Sequence, residues 1–226
     1  MVIQAKTAWL VVERGTTVAA LIASLAVIAV QFEKPRTAQK APIVPRGPLS
    51  LDNAPTIGNT AAARVLMVYS DFQCPYCARF AQETWPQLRE QYVDRGMLLV
   101  AFRNLPLPIH AQAIRAAEAA ECANREGKFW EMHDRLFQDQ QHLDDATFLR
   151  DAGELGLDLD RWGACYRGEA RAHIESDISD ARAVGISSTP YFVLGSRMAD
   201  GSLKALTSIR GSMSLETFQR AIDGLR

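Results

Sequence analysis

The sequence predicts an α/β body in which a β-α-β unit and a β-β-α unit flank a run of inserted helices. Three observations predict it. Apolar runs of strand length occur at 65–69, 97–102 and 191–194. Alanine-rich and amphipathic stretches fill the long interval between the second and third runs. The composition, 48% apolar and 23% charged over 226 residues, is that of a globular chain and excludes disordered and low-complexity classes. A net charge of −1 gives no electrostatic support for binding nucleic acid.

The first element is an address. Residues 15–32 carry no charge, and Lys6 and Arg14 precede them, as in an export signal. At ~1.5 Å per residue these residues make a helix of roughly 27 Å, marginally long enough for a bilayer core. The small-x-small cleavage pattern is poor, since Val27-Ile28-Ala29 lies inside the apolar run. An uncleaved transmembrane anchor over 1–32 is therefore expected ahead of a cleaved signal peptide, with a buried core helix as the third reading. Lys34, Arg36, Lys40 and Arg46 follow the span, so the positive-inside count alone mildly favours the opposite topology. The cysteine chemistry below decides for a body facing an oxidising compartment. Residues 33–60 hold Pro35, Pro42, Pro45, Pro48 and Pro55, a density that predicts an extended tether. The folded body is expected over 61–226, enough chain for one well-buried core.

Val65 to Tyr69 reads as a buried strand ending at Ser70-Asp71. Pro75 follows where a helix can begin, because its missing N–H is not needed there. Phe80, Trp85, Leu88 and Tyr92 form a helical stripe up to Gly96, and Met97 to Phe102 is a second buried strand. Helices are expected over Ala111–Ala123, Phe129–Phe137, Ala146–Leu155, Asp160–Tyr166 and Ala170–Val184, an insertion of about 108–184. Tyr191 to Leu194 is a strand, a weak strand lies near Leu203–Leu206, and Ser214 caps a last helix carrying Leu215, Phe218, Ile222 and Leu225.

The chemistry lies in Cys74-Pro75-Tyr76-Cys77. Two cysteines three apart at a helix start can close a small disulfide ring. At the helix N-terminus, free N–H groups and the dipole stabilise the Cys74 thiolate and make it the attacking sulfur. Cys77, one turn in, resolves the mixed disulfide. Half of a zinc site is the competing reading, but it needs two more ligands. Cys122, Cys165, His110, His133, His142 and His173 are scattered and form no second pair, so no metal and no cofactor is expected. Thr189-Pro190, after the Gly185-Ile186-Ser187-Ser188 loop, suits a cis bond. Such a bond beside the motif frees the preceding backbone to pair with an extended peptide.

DFQCPYC after an apolar strand, ECANREGKFWEMHDRLF in the helical region and VGISSTPYFVLG near the C-terminus resemble the DsbA-like thiol:disulfide oxidoreductases, over roughly 61–226. The resemblance implies a thioredoxin-like fold with an inserted helical domain. It implies Cys74 as nucleophile, Cys77 as resolving thiol, and Pro75, Tyr76, Thr189 and the cis Pro190 at the client-binding face. It implies extended exported clients, a membrane re-oxidising enzyme resembling DsbB, and a periplasmic or other extracytoplasmic setting. Two positions depart from the family pattern. Tyr76 stands where the best-studied members have histidine, and Val68 stands where a buried glutamate is frequent.

Cys122 and Cys165 lie on two different inserted helices. An even cysteine count in an oxidising compartment favours pairing, and a loop of that length would gain roughly 4 kcal/mol in the chain-entropy model. Two buried thiols are the alternative. Asp71 is read as capping its loop, His110 as capping or packing, Phe129 to His133 as a packed helix face, and Asp144, Asp145 and Asp151 as a solvated helix start. The expected function is donation of the Cys74–Cys77 disulfide to clients. An isomerase or reductase of the same fold and a non-catalytic peptide-binding chaperone are the alternatives. Residues 33–60 are too short and proline-rich for a dimerisation domain, so a monomer is expected.

Overall fold

The computed structural model describes residues 43–225. The expected anchor at 15–32 lies outside the described residues. Among the described residues no helix is long and apolar enough to cross a membrane. The six-stranded sheet comprises β1 (Pro48–Leu49), β2 (Thr56–Gly58), β3 (Arg64–Ser70), β4 (Leu98–Asn104), β5 (Tyr191–Arg197) and β6 (Leu203–Arg210), in the order β1-β6-β5-β3-β4-β2. Only β3 and β4 run parallel. Their connection is helical, as a parallel crossover requires. It starts as α1 (Pro75–Arg79), passes a π-helical turn (Phe80–Thr84), continues as α2 (Trp85–Leu88) and ends in a second π turn (Arg89–Val93). Pro86 lacks an N–H, and just before it Trp85 N–H donates five residues back to Phe80 O, the widened π register.

The insertion holds α3 (Ala113–Asn124), α4 (Phe129–Gln138), α5 (Asp145–Glu154), α6 (Leu159–Ala164), a π turn (Cys165–Glu169) and α7 (Arg171–Ala183). The last helix is α8 (Leu215–Asp223). Ser214 sits at its N-cap, but its side chain accepts no helix N–H there; the Ser214 hydroxyl meets Thr217 Oγ1 at 3.3 Å instead.

β3 is buried on both faces, so its apolar run alternates between two cores. Leu66 and Val68 pack with Phe80, Trp85, Leu88, Phe192 and Phe218. Val65, Met67 and Tyr69 pack with Leu99, Ala181, Ile186 and Val193 on the other face. Burying one such side chain contributes roughly 1.5–3 kcal/mol. A third core fills the insertion and takes in Phe72, Cys74, Cys77 and Phe102.

Two expectations are corrected. Residues 48–58 were assigned to the tether, yet they supply both edge strands. β1 pairs with β6 and β2 with β4, and Phe102 N–H donates to Pro55 O at 2.9 Å. Edge positions tolerate proline because the missing N–H faces away from the ladder. Arg103 fastens this stretch: its guanidinium donates to Ser50 O (2.9 Å) and Asp52 O (3.0 Å) and pairs with the buried Asp177 on α7 at 2.8 Å. The weak strand near 203–206 is the full-length β6, which pairs with β5 on one side and β1 on the other. It lies so close to Gly195, at an irregularity of β5, that a Cβ there would meet Lys204 O at 1.9 Å.

Candidate active site

β3 delivers the chain to Asp71, whose carboxylate is fully buried. Asp71 Oδ1 accepts Gln73 N–H (2.8 Å), Oδ2 accepts Leu107 N–H (2.7 Å), and His110 Nδ1 lies 2.6 Å from Oδ2. Cys74 N–H donates to Asp71 O at 3.1 Å. The loop is thereby turned so that Cys74 becomes the extended N-cap of α1, with Pro75 as first helical residue. Cys74 O then accepts Cys77 N–H (3.0 Å) and Ala78 N–H (3.1 Å). Asp71 thus stabilises the loop, as read from the sequence. His110 lies ahead of α3 and contacts the Asp71 carboxylate.

Cys74 and Cys77 are the free cysteines among the described residues, and both are buried. The Cys74 thiol donates to Thr189 O at 3.7 Å. The Thr189–Pro190 bond is cis. The Thr189 hydroxyl has no hydrogen-bond partner, so a thiolate at Cys74 offers it an acceptor within reach. The Cys74 thiol is pulled down to about 5: the Cys77 thiol's hydrogen bond contributes most, Thr189 and the N–H groups of Cys77 and Tyr76 add to it, and burial opposes it. Burial pushes Cys77 the other way, well above its ordinary value, and the hydrogen bond and negative charge of Cys74 add to the rise. Ser70 and the Asp71 N–H partly counter that rise. One sulfur is therefore a stable thiolate and the other a protonated, buried thiol.

Neighbouring segments expose apolar side chains. Tyr76 is 57% exposed, with the Arg79 guanidinium 5.7 Å from its ring centroid. Ile109, beside His110, is 82% exposed. Exposed Met213 lies in the loop after β6, where Gly211 N–H donates to Pro190 O and Thr84 Oγ1 to Met213 O. The structure brings Cys74, Cys77, Pro75, Tyr76, Thr189 and Pro190 together. Cys122 and Cys165 form a separate disulfide, S–S 1.98 Å, joining α3 to the π turn after α6. His133 packs among Phe72, Phe102, Phe129 and Phe137. Asp144 caps α5 by accepting Thr147 N–H at 2.8 Å. Asp151, expected in solvent, is instead buried against Arg150 and Arg135.

Sequence reasoning missed Ser70 and Gln140. Gln140, in the turn after α4, donates through Nε2 to Phe72 O (2.6 Å) and Cys74 O (3.2 Å). No local pattern marks a glutamine 66 residues from its partner. Ser70 carries a signal only by position, as the last strand residue before the motif.

A cysteine with a lowered pKa at a helix N-cap, a buried partner thiol and a cis-proline loop beside the sulfur can together carry out thiol–disulfide exchange. The thioredoxin family model matches residues 50–224, and the chain belongs to that family. Its structural neighbours are DsbA-like. α-DsbA1 of Wolbachia pipientis superposes with a TM-score of 0.69 at 23% identity, covering 78% of this chain and 92% of that one. Oxidised BdbD of Bacillus subtilis gives 0.69 at 18% identity, covering 81% and 97%. A thioredoxin-like oxidoreductase of Silicibacter pomeroyi gives 0.62 at 26% identity, covering 76% and 92%. The Na(+)/H(+) antiporter NhaA 3 of Salinispora tropica is 38% identical over 167 residues, 71% of this chain and 25% of that protein. The chain thus spans about a quarter of the length of such antiporters. It has a thioredoxin-like fold with added helices.

Proposed function

We propose that the chain donates the Cys74–Cys77 disulfide to exported client proteins. A client thiolate attacks Cys74 Sγ, the Cys74–Cys77 bond breaks, and Cys77 leaves with the electron pair and takes up a proton. A second client thiolate then attacks the client sulfur of the mixed disulfide. Cys74 leaves as thiolate, the client is oxidised, and the pair is reduced. The single observation that carries this direction is the asymmetry of the two sulfurs. A thiol held near 5 is a good leaving group, and its stable thiolate favours the reduced form, so the disulfide is a strong oxidant.

Pro75, Tyr76, Thr189 and Pro190 form the client face in this reading, with an extended client pairing against the Thr189 backbone. Turnover requires a membrane oxidase, DsbB-like in chemistry, that accepts two electrons from the dithiol. The body works as a monomer in the periplasm or another extracytoplasmic space, tethered by residues 15–32. The similarity to a segment of sodium–proton antiporters supports a role beside a membrane.

The test is the reduction potential of the Cys74–Cys77 pair, measured by equilibration with glutathione, with a Cys122→Ala/Cys165→Ala control. A value between about −120 and about −180 mV supports donation. A value near about −270 mV, the thioredoxin range, refutes it in favour of a reductase.

A further inference from the structure

The residues between β3 and α1 have no regular structure of their own, so the aim of the Cys74 sulfur depends on what holds that loop. Asp71 holds it from the sheet side, through Gln73 N–H and Cys74 N–H. The insertion holds it from the other side at two points. Gln112 N–H, ahead of α3, donates to Gln73 Oε1 at 2.7 Å. Gln140 spans two carbonyls, Phe72 O at 2.6 Å and Cys74 O at 3.2 Å. The second carbonyl is the N-cap oxygen that already accepts Cys77 N–H and Ala78 N–H. A donor on that oxygen fixes the Cys74 peptide plane at the start of α1, next to the Tyr76 and Cys77 N–H groups that help keep the Cys74 thiol low. A glutamine suits the place because its NH₂ carries two protons for two acceptors and brings no charge near a thiolate.

We propose that Gln140 is a positioning residue through which the inserted helices hold the Cys74 loop in the geometry that sets the Cys74 sulfur at the N-terminus of α1. It touches no reacting atom and acts through the two carbonyls. The insertion is thereby coupled to the redox centre by a side chain from the α4–α5 turn. Gln82 provides the comparison. It also ties the motif's helical segment to the insertion, donating to Phe137 O at 2.6 Å, but it makes no bond to the Cys74 loop.

The inference rests on exchange at Cys74 as proposed above. The test titrates the thiolate absorbance of the reduced full chain and measures its equilibrium with glutathione, in wild type, Gln140→Ala, Gln140→Glu and Gln82→Ala. For Gln140→Ala the thiolate midpoint rises by about 0.5–1 in pH, the worth of one hydrogen bond, and the glutathione equilibrium moves roughly three- to tenfold toward the disulfide. Water entering the half-buried site keeps the effect that small. Gln140→Glu keeps the shape, loses the donor and adds a charge, so it shifts both readouts further. Gln82→Ala leaves both at wild type. The proposal is overturned if both Gln140 variants titrate and equilibrate as wild type. It is also overturned if Gln82→Ala shifts both readouts as far as Gln140→Ala, because general loosening of the insertion would then suffice. A wild-type chain that exchanges nothing with glutathione would instead sink the exchange reading itself.

Discussion

The Cys74 thiol held at about 5 makes the reduced protein's stability depend on pH in a way the oxidised protein's does not. In the unfolded chain the same thiol titrates near about 8.5. The folded value is the lower one, so the stabilisation is complete above about 8.5, falls as pH drops, and is gone below about 5. Well inside those limits it changes by about 1.4 kcal/mol per pH, and with the thiol half titrated at pH 5 the reduced form gains roughly 2.3 kcal/mol over the oxidised form from pH 5 to pH 7. The assay is paired denaturant unfolding of reduced and oxidised protein at pH 5, 6 and 7. Alkylation of the reduced protein reports the same group independently. With a midpoint at about 5, about 99% of Cys74 is thiolate at pH 7, so the rate corrected for reagent reactivity is flat from about pH 6 upward. An ordinary thiol would instead gain about tenfold per pH over that range. Cys77→Ala removes the largest contributor, a charge-assisted hydrogen bond worth about 1.5–3 kcal/mol, and should move the midpoint up by about 1–2 in pH. A reduced-minus-oxidised stability difference that stays flat between pH 5 and 7, with alkylation still climbing, would refute the reasoning.

Asp177→Ala strips the buried Arg103 guanidinium of its carboxylate and leaves Asn104 N–H unpaired, so it should cost about 3–5 kcal/mol in chemical denaturation. Arg103→Met/Asp177→Leu should recover only part of that loss, because it removes the unpaired charge but leaves Asn104 N–H and the Ser50 and Asp52 carbonyls without their partners. Glu121 raises the His173 value by hydrogen-bonding Nδ1 at 2.9 Å. That stabilisation is complete below about 6.5 and is lost as pH rises through the folded value. Glu121→Gln should therefore flatten the fall in stability above pH 6.5, read from urea midpoints at several pH values. Cys122→Ala/Cys165→Ala should lose roughly 4 kcal/mol in the chain-entropy model while retaining disulfide exchange at Cys74.

What was legible in the sequence was local. Cys-Pro-Tyr-Cys follows an apolar run and opens a helix within a dozen residues, so strand, N-cap and chemistry could be read in one window. Thr189-Pro190 stands at a strand entrance, again a local signature. The edge strands were not legible, because β1 and β2 are two and three residues long and too short to show alternation. They are held by backbone bonds to β6 and β4, and their prolines argued for a tether. One buried acid was misread for the same reason. Asp151 looks like a surface residue until Arg135, sixteen positions earlier, is folded against it. Gln140 is the extreme case, since its meaning is two carbonyls on a distant loop.

The two departures from the family pattern bear differently on the site. Val68 faces the core of Leu66, Phe80, Phe192 and Phe218, so nothing around that position would solvate a carboxylate. The polar groups that hold the Cys77 value down come from two and three positions further on, Ser70 and the Asp71 N–H. Tyr76 carries no charge and is mostly exposed, and it serves Cys74 through its backbone N–H rather than its side chain. The groups that lower Cys74 are a neighbouring thiol, Thr189 and helix N–H groups, all neutral. Thiolate stability here is therefore a property of backbone geometry more than of charged side chains. It follows that residues holding the backbone, such as Asp71 at one end of the loop and Gln140 at the other, should govern the redox centre more than the identity of the residue between the cysteines.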